Sequence, residues 1–194
     1  MIPRALLEKL YTEESASMQE IARKLNVSVH KVSYWMSHHG IQRRSISEAI
    51  YRKHNRNGDP FIYCPPKTAT EAKLFGLGIG LYWGEGTKAN QHSVRLGNTD
   101  PTLMKTFIVF LIKFFRIRKG DLRFGLQVFS DLNPQVAQKY WIEMLGAGKQ
   151  QFYKTMITPS ISRGTYRRKN QYGVLTVYYN NKKLRDLLVS LLPG

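Results

Sequence analysis

The stretch of sequence that decides the fold is LFGLGIGLYWGEG, residues 74–86. Its apolar content predicts a helix, although each interior glycine costs roughly 1 kcal/mol relative to alanine. Gly76, Gly80 and Gly84 recur at every fourth position and therefore form one stripe along the helix. A stripe without side chains lets another backbone approach closely. If that backbone is the same helix of a second copy, a two-fold axis brings the carboxyl ends of both helices together.

Glu85 lies at the end of this stretch, so the same axis would place it beside its copy. The other acids after residue 70 can be explained as helix caps, helix-surface residues or loop residues: Glu71, Asp100, Asp121, Asp131, Glu143 and Asp186. Mg²⁺ is held in proteins by one or two carboxylates together with waters and phosphate oxygens. Paired carboxylates on a basic surface are therefore typical of a metal-dependent nuclease. Glu85 is the candidate metal ligand and catalytic residue.

The chain of 194 residues has a formal net charge of +17, divided as +5 over residues 1–70 and +12 over residues 71–194. Its 42% hydrophobic content is ample for packed cores. Because so large a charge destabilises a compact fold by self-repulsion, it points to a polyanionic partner. Nucleic acid and an anionic membrane surface are the two candidates, and a soluble protein that is merely basic is the alternative.

Several classes of protein do not fit this sequence. A single cysteine excludes an internal disulfide framework, and the five histidines show no ligand spacing for zinc. The N-terminus becomes charged before a signal-peptide core could form. The longest apolar stretch, residues 74–83, is about half the length of a membrane-spanning helix. We therefore expect no membrane partner and a cytoplasmic, nucleoid-associated protein.

The first 44 residues predict helices joined by a tight turn. Ser17 and Glu20 have the spacing of a capping box, Ser28 can cap the following helix, and Gly40 can end it. The segment SMQEIARKLNVSVHKVSYWM, residues 17–36, resembles the helix-turn-helix of bacterial and archaeal DNA-binding proteins. A small helical bundle with a solvated basic face is the alternative interpretation.

In a helix-turn-helix, outward residues near the start of the last helix contact base edges in the major groove. The resemblance assigns that role to His30, Lys31, Ser33 and Tyr34, with Ser28 placed to bind a phosphate. Arg43 and Arg44 follow the helix directly and are predicted to clamp the DNA backbone. The sequence thus predicts a helix-turn-helix domain over residues 1–46 and, from its proline and glycine content, a basic linker over 47–70.

Residues 71–194 alternate between helical and strand patterns. After the glycine-rich helix, periodicity predicts strands over 93–98, 122–129, 152–157 and 174–179, and helices over 101–115, 133–145 and 182–192. The heptapeptide GLYWGEG at 80–86 matches the end of the signature of the LAGLIDADG homing endonucleases, with Glu85 at the acidic metal-binding position. NTDP at 98–101 and the long apolar helix after it also look like the family's continuation. The resemblance covers roughly residues 72–192.

This resemblance implies an α+β chain in which an all-α helix-turn-helix precedes an αββαββα domain. The helix at 133–145 departs from that pattern and is interpreted as an insertion. In the family the signature helices pair at a two-fold interface and a saddle-shaped sheet lies on DNA. A single motif implies a homodimer rather than a monomer with two motifs.

DNA contacts are expected from basic and polar residues of the sheet and its loops. The loop at 163–169 carries Arg163, Arg167, Arg168 and Lys169, and the other expected contacts are Arg95, Arg123, Gln127 and Lys154. A charged loop that is simply solvated is the alternative for 163–169. Lys88 and Lys154 are the candidates for stabilising a transition state or positioning a water.

The sequence therefore favours a sequence-specific protein that binds double-stranded DNA as a homodimer and hydrolyses phosphodiesters with Mg²⁺ held by Glu85. Two alternatives remain open. A transcriptional regulator with the same fold would bind DNA without cutting it, and an RNA-splicing maturase would use the same domain on RNA.

Overall fold

The computed structural model describes residues 1–160 and 170–193. The chain is α+β, as the sequence predicts, and divides into two compact units, Met1–Pro60 and Phe61–Gly194. The boundary between the units lies inside the segment 47–70 that was predicted to be a linker.

The first unit is helical throughout. Its core contains Leu7, Leu10, Ile21, Val32 and Met36. Its α-helices are α1 (Arg4–Glu8), α2 (Met18–Lys24), α3 (Val29–His38) and α4 (Ile46–His54). Helix α1 continues directly into a π-helical turn at Lys9–Glu13.

The predicted helix boundaries of this unit are confirmed by side-chain caps. The Ser17 hydroxyl accepts from the Glu20 N–H at 3.2 Å, and the Glu20 carboxylate accepts from the Ser17 N–H at 2.8 Å. Ser28 caps α3, and Gly40 follows it with a φ of +68°, which is a left-handed conformation that glycine adopts without strain. Helix α4 occupies part of the predicted linker, and its Arg52 donates to the Ser15 hydroxyl at 2.6 Å.

The second unit contains a four-stranded sheet with strand order β1-β4-β2-β3, in which β2 and β3 are parallel and the other pairs are antiparallel. Its helices pack on one face around a core of aromatic and aliphatic side chains. In chain order the elements are α5 (Ala69–Glu85), β1 (Val94–Asn98), α6 (Pro101–Phe115), β2 (Arg123–Phe129), α7 (Pro134–Leu145), β3 (Met156–Thr158), β4 (Val174–Tyr179) and α8 (Lys182–Ser190).

Helix α6 shows why the sequence folds this way. Asp100 accepts from the N–H groups of Thr102 and Leu103 and so caps the helix, and Pro101 occupies its first position. Phe107, Phe110, Leu111 and Phe114 belong to its buried face. Neither α6 nor any other helix within 1–160 and 170–193 combines the length and apolarity that crossing a bilayer requires.

Two predicted strands differ from the observed ones. The strand that would follow α5 in an αββ order is reduced to a single bridge between Gly86 and Leu96. The strand predicted over 152–157 is wrong in its first part: a 3₁₀ turn at 149–151 precedes it, Phe152 forms a single bridge with Phe124, and the strand begins at Met156. The buried Gln151 amide holds this turn in place by donating to the carbonyls of Lys119 and Leu122.

Candidate nucleic-acid interface

The face of the sheet opposite the helices is the candidate interface, and we call it the open face. Along β1, β2 and β4, buried residues alternate with partly exposed ones, so one side of each strand lies in the core. The strand register aligns Arg95 of β1 with Tyr178 of β4, and Tyr178 with Arg123 of β2. An arginine-tyrosine-arginine row therefore crosses three adjacent strands of the open face, β1, β4 and β2.

In the next row of the open face, Thr176 of β4 lies between Gly97 of β1 and Gly125 of β2. A Cβ on Gly125 would lie 2.9 Å from Cε2 of Tyr178, and a Cβ on Gly97 would lie 2.9 Å from the Thr176 hydroxyl. The glycines thus give room for the neighbouring side chains to lie across the sheet. The result is a shallow surface beside the arginines.

Both arginines are oriented by neighbouring groups. The Arg95 guanidinium lies 5.2 Å from the centroid of the Tyr178 ring, and its Nε donates to the Ser93 hydroxyl at 2.7 Å. Arg123 donates from Nη1 to two backbone carbonyls of the turn before β2, at 2.8 and 2.9 Å. Within the described residues, the Arg95 Nη1 and Nη2 groups and the Arg123 Nη2 group have no hydrogen-bond acceptor, and they are suited to phosphate oxygens.

An aromatic side chain that the sequence did not single out extends this surface. Tyr153 is exposed, and its ring centroid lies 5.5 Å from that of Tyr178. Lys154 is exposed directly after it, whereas Gln127 lies nearer the edge and donates to the Thr158 hydroxyl at 2.9 Å. The alternation of residues 174–179 could have identified Tyr178 as a residue of the open face. Tyr153 could not be identified from the sequence, because its place depends on contacts between distant segments.

The four strands β1–β4 contain no aspartate or glutamate. Uncompensated arginines on a surface create a positive potential that attracts polyanions. The expected contacts Arg163, Arg167, Arg168 and Lys169 lie outside the described residues.

Helix α5 has a covered face and an uncovered face. A Cβ on Gly78 would lie 2.2 Å from the Phe110 ring, so this glycine allows α5 to pack closely on α6. A Cβ on Gly76, Gly80 or Gly84 would meet no atom within 4 Å. The predicted glycine stripe therefore lies on the uncovered face, where the unit also exposes large apolar side chains, with Leu77 at 50% and Trp83 at 56%.

Glu85 is the last residue of α5, and its carboxylate is exposed. It makes no hydrogen bond or ion pair with residues 1–160 or 170–193.

Other acids of the unit are paired. Glu71 pairs with Lys113 at 3.0 Å, and Asp121 pairs with Arg118 at 2.9 Å. The N–H of Lys67, followed by Lys113, holds the pKa of Glu71 below its usual value. No group of three or more His, Cys, Asp or Glu side chains in the described parts of the chain could hold a metal ion.

Lys88, which was predicted to stabilise a transition state or position a water, contacts the end of α5. Its ammonium group donates to the carbonyls of Tyr82 and Trp83, which lie in the last turn of α5. A cation at this position satisfies carbonyls that have no partner within the helix and interacts favourably with its dipole. Lys88 therefore contributes a cap to the end of α5, and its side chain is exposed.

In the first unit, the predicted base-contacting residues lie on α3 as expected. His30, Lys31 and Tyr34 are exposed, with Tyr34 at 62%, whereas Ser33 is half-buried. The Ser28 hydroxyl accepts from the Lys31 N–H at 3.2 Å and so serves as the helix cap.

The two arginines after α3 differ from each other. Arg44, predicted to clamp DNA, instead donates to the backbone carbonyls of Tyr11, Ser15 and Ala16, and its guanidinium lies 3.9 Å from the Tyr11 ring centroid. The guanidinium thus binds one carbonyl of the π-helical turn, that of Tyr11, and the carbonyls of two residues that follow the turn. Arg43 is exposed and folds back onto α3.

We compared the chain with protein-family models, curated proteins and solved structures, and none of them matched.

Proposed function

We propose that this chain is a sequence-specific protein that binds double-stranded DNA, with a helix-turn-helix in its first unit and a LAGLIDADG-type domain in its second. The observation that carries the proposal is the open face, where Arg95 and Arg123 flank Tyr178 on strands without a carboxylate. Phosphate contacts from arginine and tyrosine side chains position proteins on a duplex.

The order of elements supports a LAGLIDADG-type arrangement. The residue after α5, Gly86, bridges to β1, and the chain then passes through α6, β2, β4 and α8. With the segment containing α7 and β3 counted as an insertion, this order corresponds to αββαββα.

We propose further that the protein is a homodimer in which the uncovered faces of two α5 helices pack together. A helix that is apolar on all sides is stable in water when every side is covered. Leu77 and Trp83 are exposed beside the glycine stripe, so the second copy would bury them. Such a dimer brings Glu85 of one protomer toward Glu85 of its partner.

Glu85 fits the requirements for a magnesium ligand, because its carboxylate is exposed and has no partner among the described residues. Mg²⁺ held there would supply electrostatic stabilisation of the charge that develops on phosphodiester oxygens. Glu85 itself would hold the ion against the DNA, and Arg95 and Arg123 would bind and orient the duplex. The proposed reaction is hydrolysis of a phosphodiester in each strand.

The test is incubation of the full chain with a randomised duplex library, with and without Mg²⁺. We expect enrichment of one sequence and Mg²⁺-dependent cleavage, and Glu85→Gln should abolish cleavage while leaving binding intact. Arg95→Gln together with Arg123→Gln should weaken binding and reduce its dependence on salt, because fewer counterions are released. Lys182→Gln together with Lys139→Gln, surface changes on α8 and α7, is the matched control for the loss of two charges.

A regulator that binds without cleaving is the second candidate, and Lys88 favours it. The Lys88 ammonium donates to carbonyls at the end of α5, and each chain offers a single unpartnered carboxylate in the described part of this unit. Tight binding without cleavage in the library experiment supports the regulator, and failure to bind duplex DNA contradicts both candidates.

A further inference from the structure

Arg95, the proposed phosphate contact on β1, is held through its Nε alone. This group donates to the Ser93 hydroxyl at 2.7 Å, whereas Nη1 and Nη2 have no acceptor within residues 1–160 or 170–193. The Nη1 and Nη2 groups form one end of the planar guanidinium, and they can donate together to the two oxygens of a phosphate. The contact with Ser93 therefore leaves a complete bidentate pair available and restricts the directions in which that pair can point.

The Ser93 hydroxyl is itself held in one orientation. Because a guanidinium can only donate, the hydroxyl accepts from Arg95 and directs its own proton to Oδ1 of Asn90, at 3.0 Å. Ser93 is only 2% exposed, so water has little access to it. The hydroxyl cannot rotate without breaking its bond to Asn90, and Ser93 thus links Asn90 to Arg95.

Asn90 lies in the segment between α5 and β1, and its side chain is fixed by the turn that it forms. Its Oδ1 also accepts from the backbone N–H groups of His92 and Ser93, both at 3.0 Å. Since a backbone N–H can only donate, the atom at this position must be the amide oxygen, which is also the atom that can accept from the Ser93 hydroxyl. The Asn90 amide therefore has a single orientation.

The backbone at Asn90 is anchored to α8 by Arg185, whose side chain is only 14% exposed. The Arg185 Nε donates to the Asn90 carbonyl at 3.1 Å, and its Nη2 donates to the Lys88 carbonyl at 2.5 Å. Its Nη1 donates to the Asp186 carboxylate at 3.0 Å. Each nitrogen of this guanidinium is thus used within the protomer, and Arg185 fixes the segment that carries Asn90.

We propose that Asn90 and Ser93 are positioning residues that hold the Arg95 guanidinium for a bidentate contact with one phosphate of duplex DNA. The inference rests on the proposed DNA binding by the open face and deepens it. An arginine that is already held in its bound orientation loses less side-chain freedom on binding, so affinity rises without a new contact. An unsupported arginine carries the same charge but must be ordered by the DNA.

The experiment measures the affinity of the full chain for a labelled duplex of mixed sequence at several salt concentrations, because phosphate contacts do not read sequence. Ser93→Ala removes the support and keeps the charge of Arg95. We expect it to weaken binding about 5-fold, the cost of ordering one long side chain, with unchanged salt dependence. Arg95→Gln should weaken binding further and lower the salt slope by about one. Asn90→Ala should resemble Ser93→Ala.

A double-mutant cycle separates positioning from a general effect on the fold. In a chain that carries Arg95→Gln, neither Ser93→Ala nor Asn90→Ala should weaken binding further, because no guanidinium is left to orient. Ser190→Ala is the matched control, since it removes an exposed hydroxyl at the end of α8. It should leave the affinity unchanged with and without Arg95→Gln.

The proposal is overturned if Ser93→Ala binds the duplex as tightly as the unmodified chain, or if it weakens binding equally with and without Arg95→Gln. An unmodified chain that does not bind duplex DNA contradicts the proposed function together with this inference. Binding that is weakened by Arg95→Gln but not by Ser93→Ala defeats this inference alone.

Discussion

The two faces of α5 present glycines in opposite situations. At Gly78 an added Cβ would lie 2.2 Å from Phe110, whereas at Gly80, two residues later, it would meet no atom within 4 Å. The first glycine is required by the packing of α5 on α6 within one chain. Gly80 is not required by any packing within the described chain, although it lowers the helix propensity as much as Gly78 does. In the proposed dimer, Gly80 would be required by the close approach of the second α5.

The same contrast recurs with charged residues. Arg44 is used within the first unit, whereas the neighbouring Arg43 keeps free donors on the surface of α3. Glu20 is held by Ser17 and Arg56, whereas Glu85 has no partner among the described residues. Each pair separates a residue that stabilises the fold from a residue of the same type that is available to a partner.

The largest effect is expected from Gly78→Val. The new side chain would collide with the fully buried Phe110 ring, which cannot move without disturbing the core. We expect the free energy of unfolding of the second unit to fall by about 3 kcal/mol or more. Urea denaturation followed by circular dichroism measures it. Gly80→Ala is the control and should not destabilise the protomer, and equal stability of both variants would remove the distinction between the two faces.

We expect Gly80→Leu to weaken the association of two chains in the proposed dimer. Leucine fits the protomer because no atom lies near the added Cβ, but it prevents close approach of a second α5. We expect unchanged unfolding of the protomer at low concentration and a dimer dissociation constant raised about 100-fold. Sedimentation equilibrium measures the constant. A chain that stays monomeric before mutation would contradict the proposed interface.

Arg44→Ala should have a moderate effect, confined to the first unit. It leaves backbone carbonyls of Tyr11, Ser15 and Ala16 without their donor, and we expect a loss of about 2 kcal/mol. Arg43→Ala removes a surface side chain and should change stability by less than about 0.5 kcal/mol. Amide hydrogen exchange of α1–α3 in the full chain distinguishes the two, and similar protection in both variants would contradict the assigned roles.

Local patterns were predictable from the sequence, and contacts between distant segments were not. The capping box at Ser17 depends on a spacing of three residues, and it forms as predicted. The glycine stripe likewise follows from helical periodicity. The anchor between Arg44 and Tyr11 and the alignment of Arg95 with Tyr178 join segments far apart in the chain, so no periodicity indicates them. The contacts of Lys88 with the end of α5 were missed because a basic residue near an acid suggests catalysis as readily as it suggests a helix cap.

The smallest effect is expected from the two glutamates, and it depends on pH. The Ser17 N–H and hydroxyl, followed by the Arg56 guanidinium, lower the pKa of Glu20 from 4.5 to about 2. The Glu20 carboxylate therefore takes up a proton less readily in the folded state than in the unfolded state. Its ionised form stabilises the first unit above pH 4.5, and that stabilisation is lost as the pH falls toward 2. Glu20→Gln should therefore lower the free energy of unfolding by about 1 kcal/mol at neutral pH and by little at pH 2.

Glu85→Gln should leave stability unchanged at both pH values, because no described group depends on the Glu85 carboxylate. Denaturation curves of the two variants across this range test the difference, and a stability change on replacing Glu85 would indicate that its carboxylate has a structural partner.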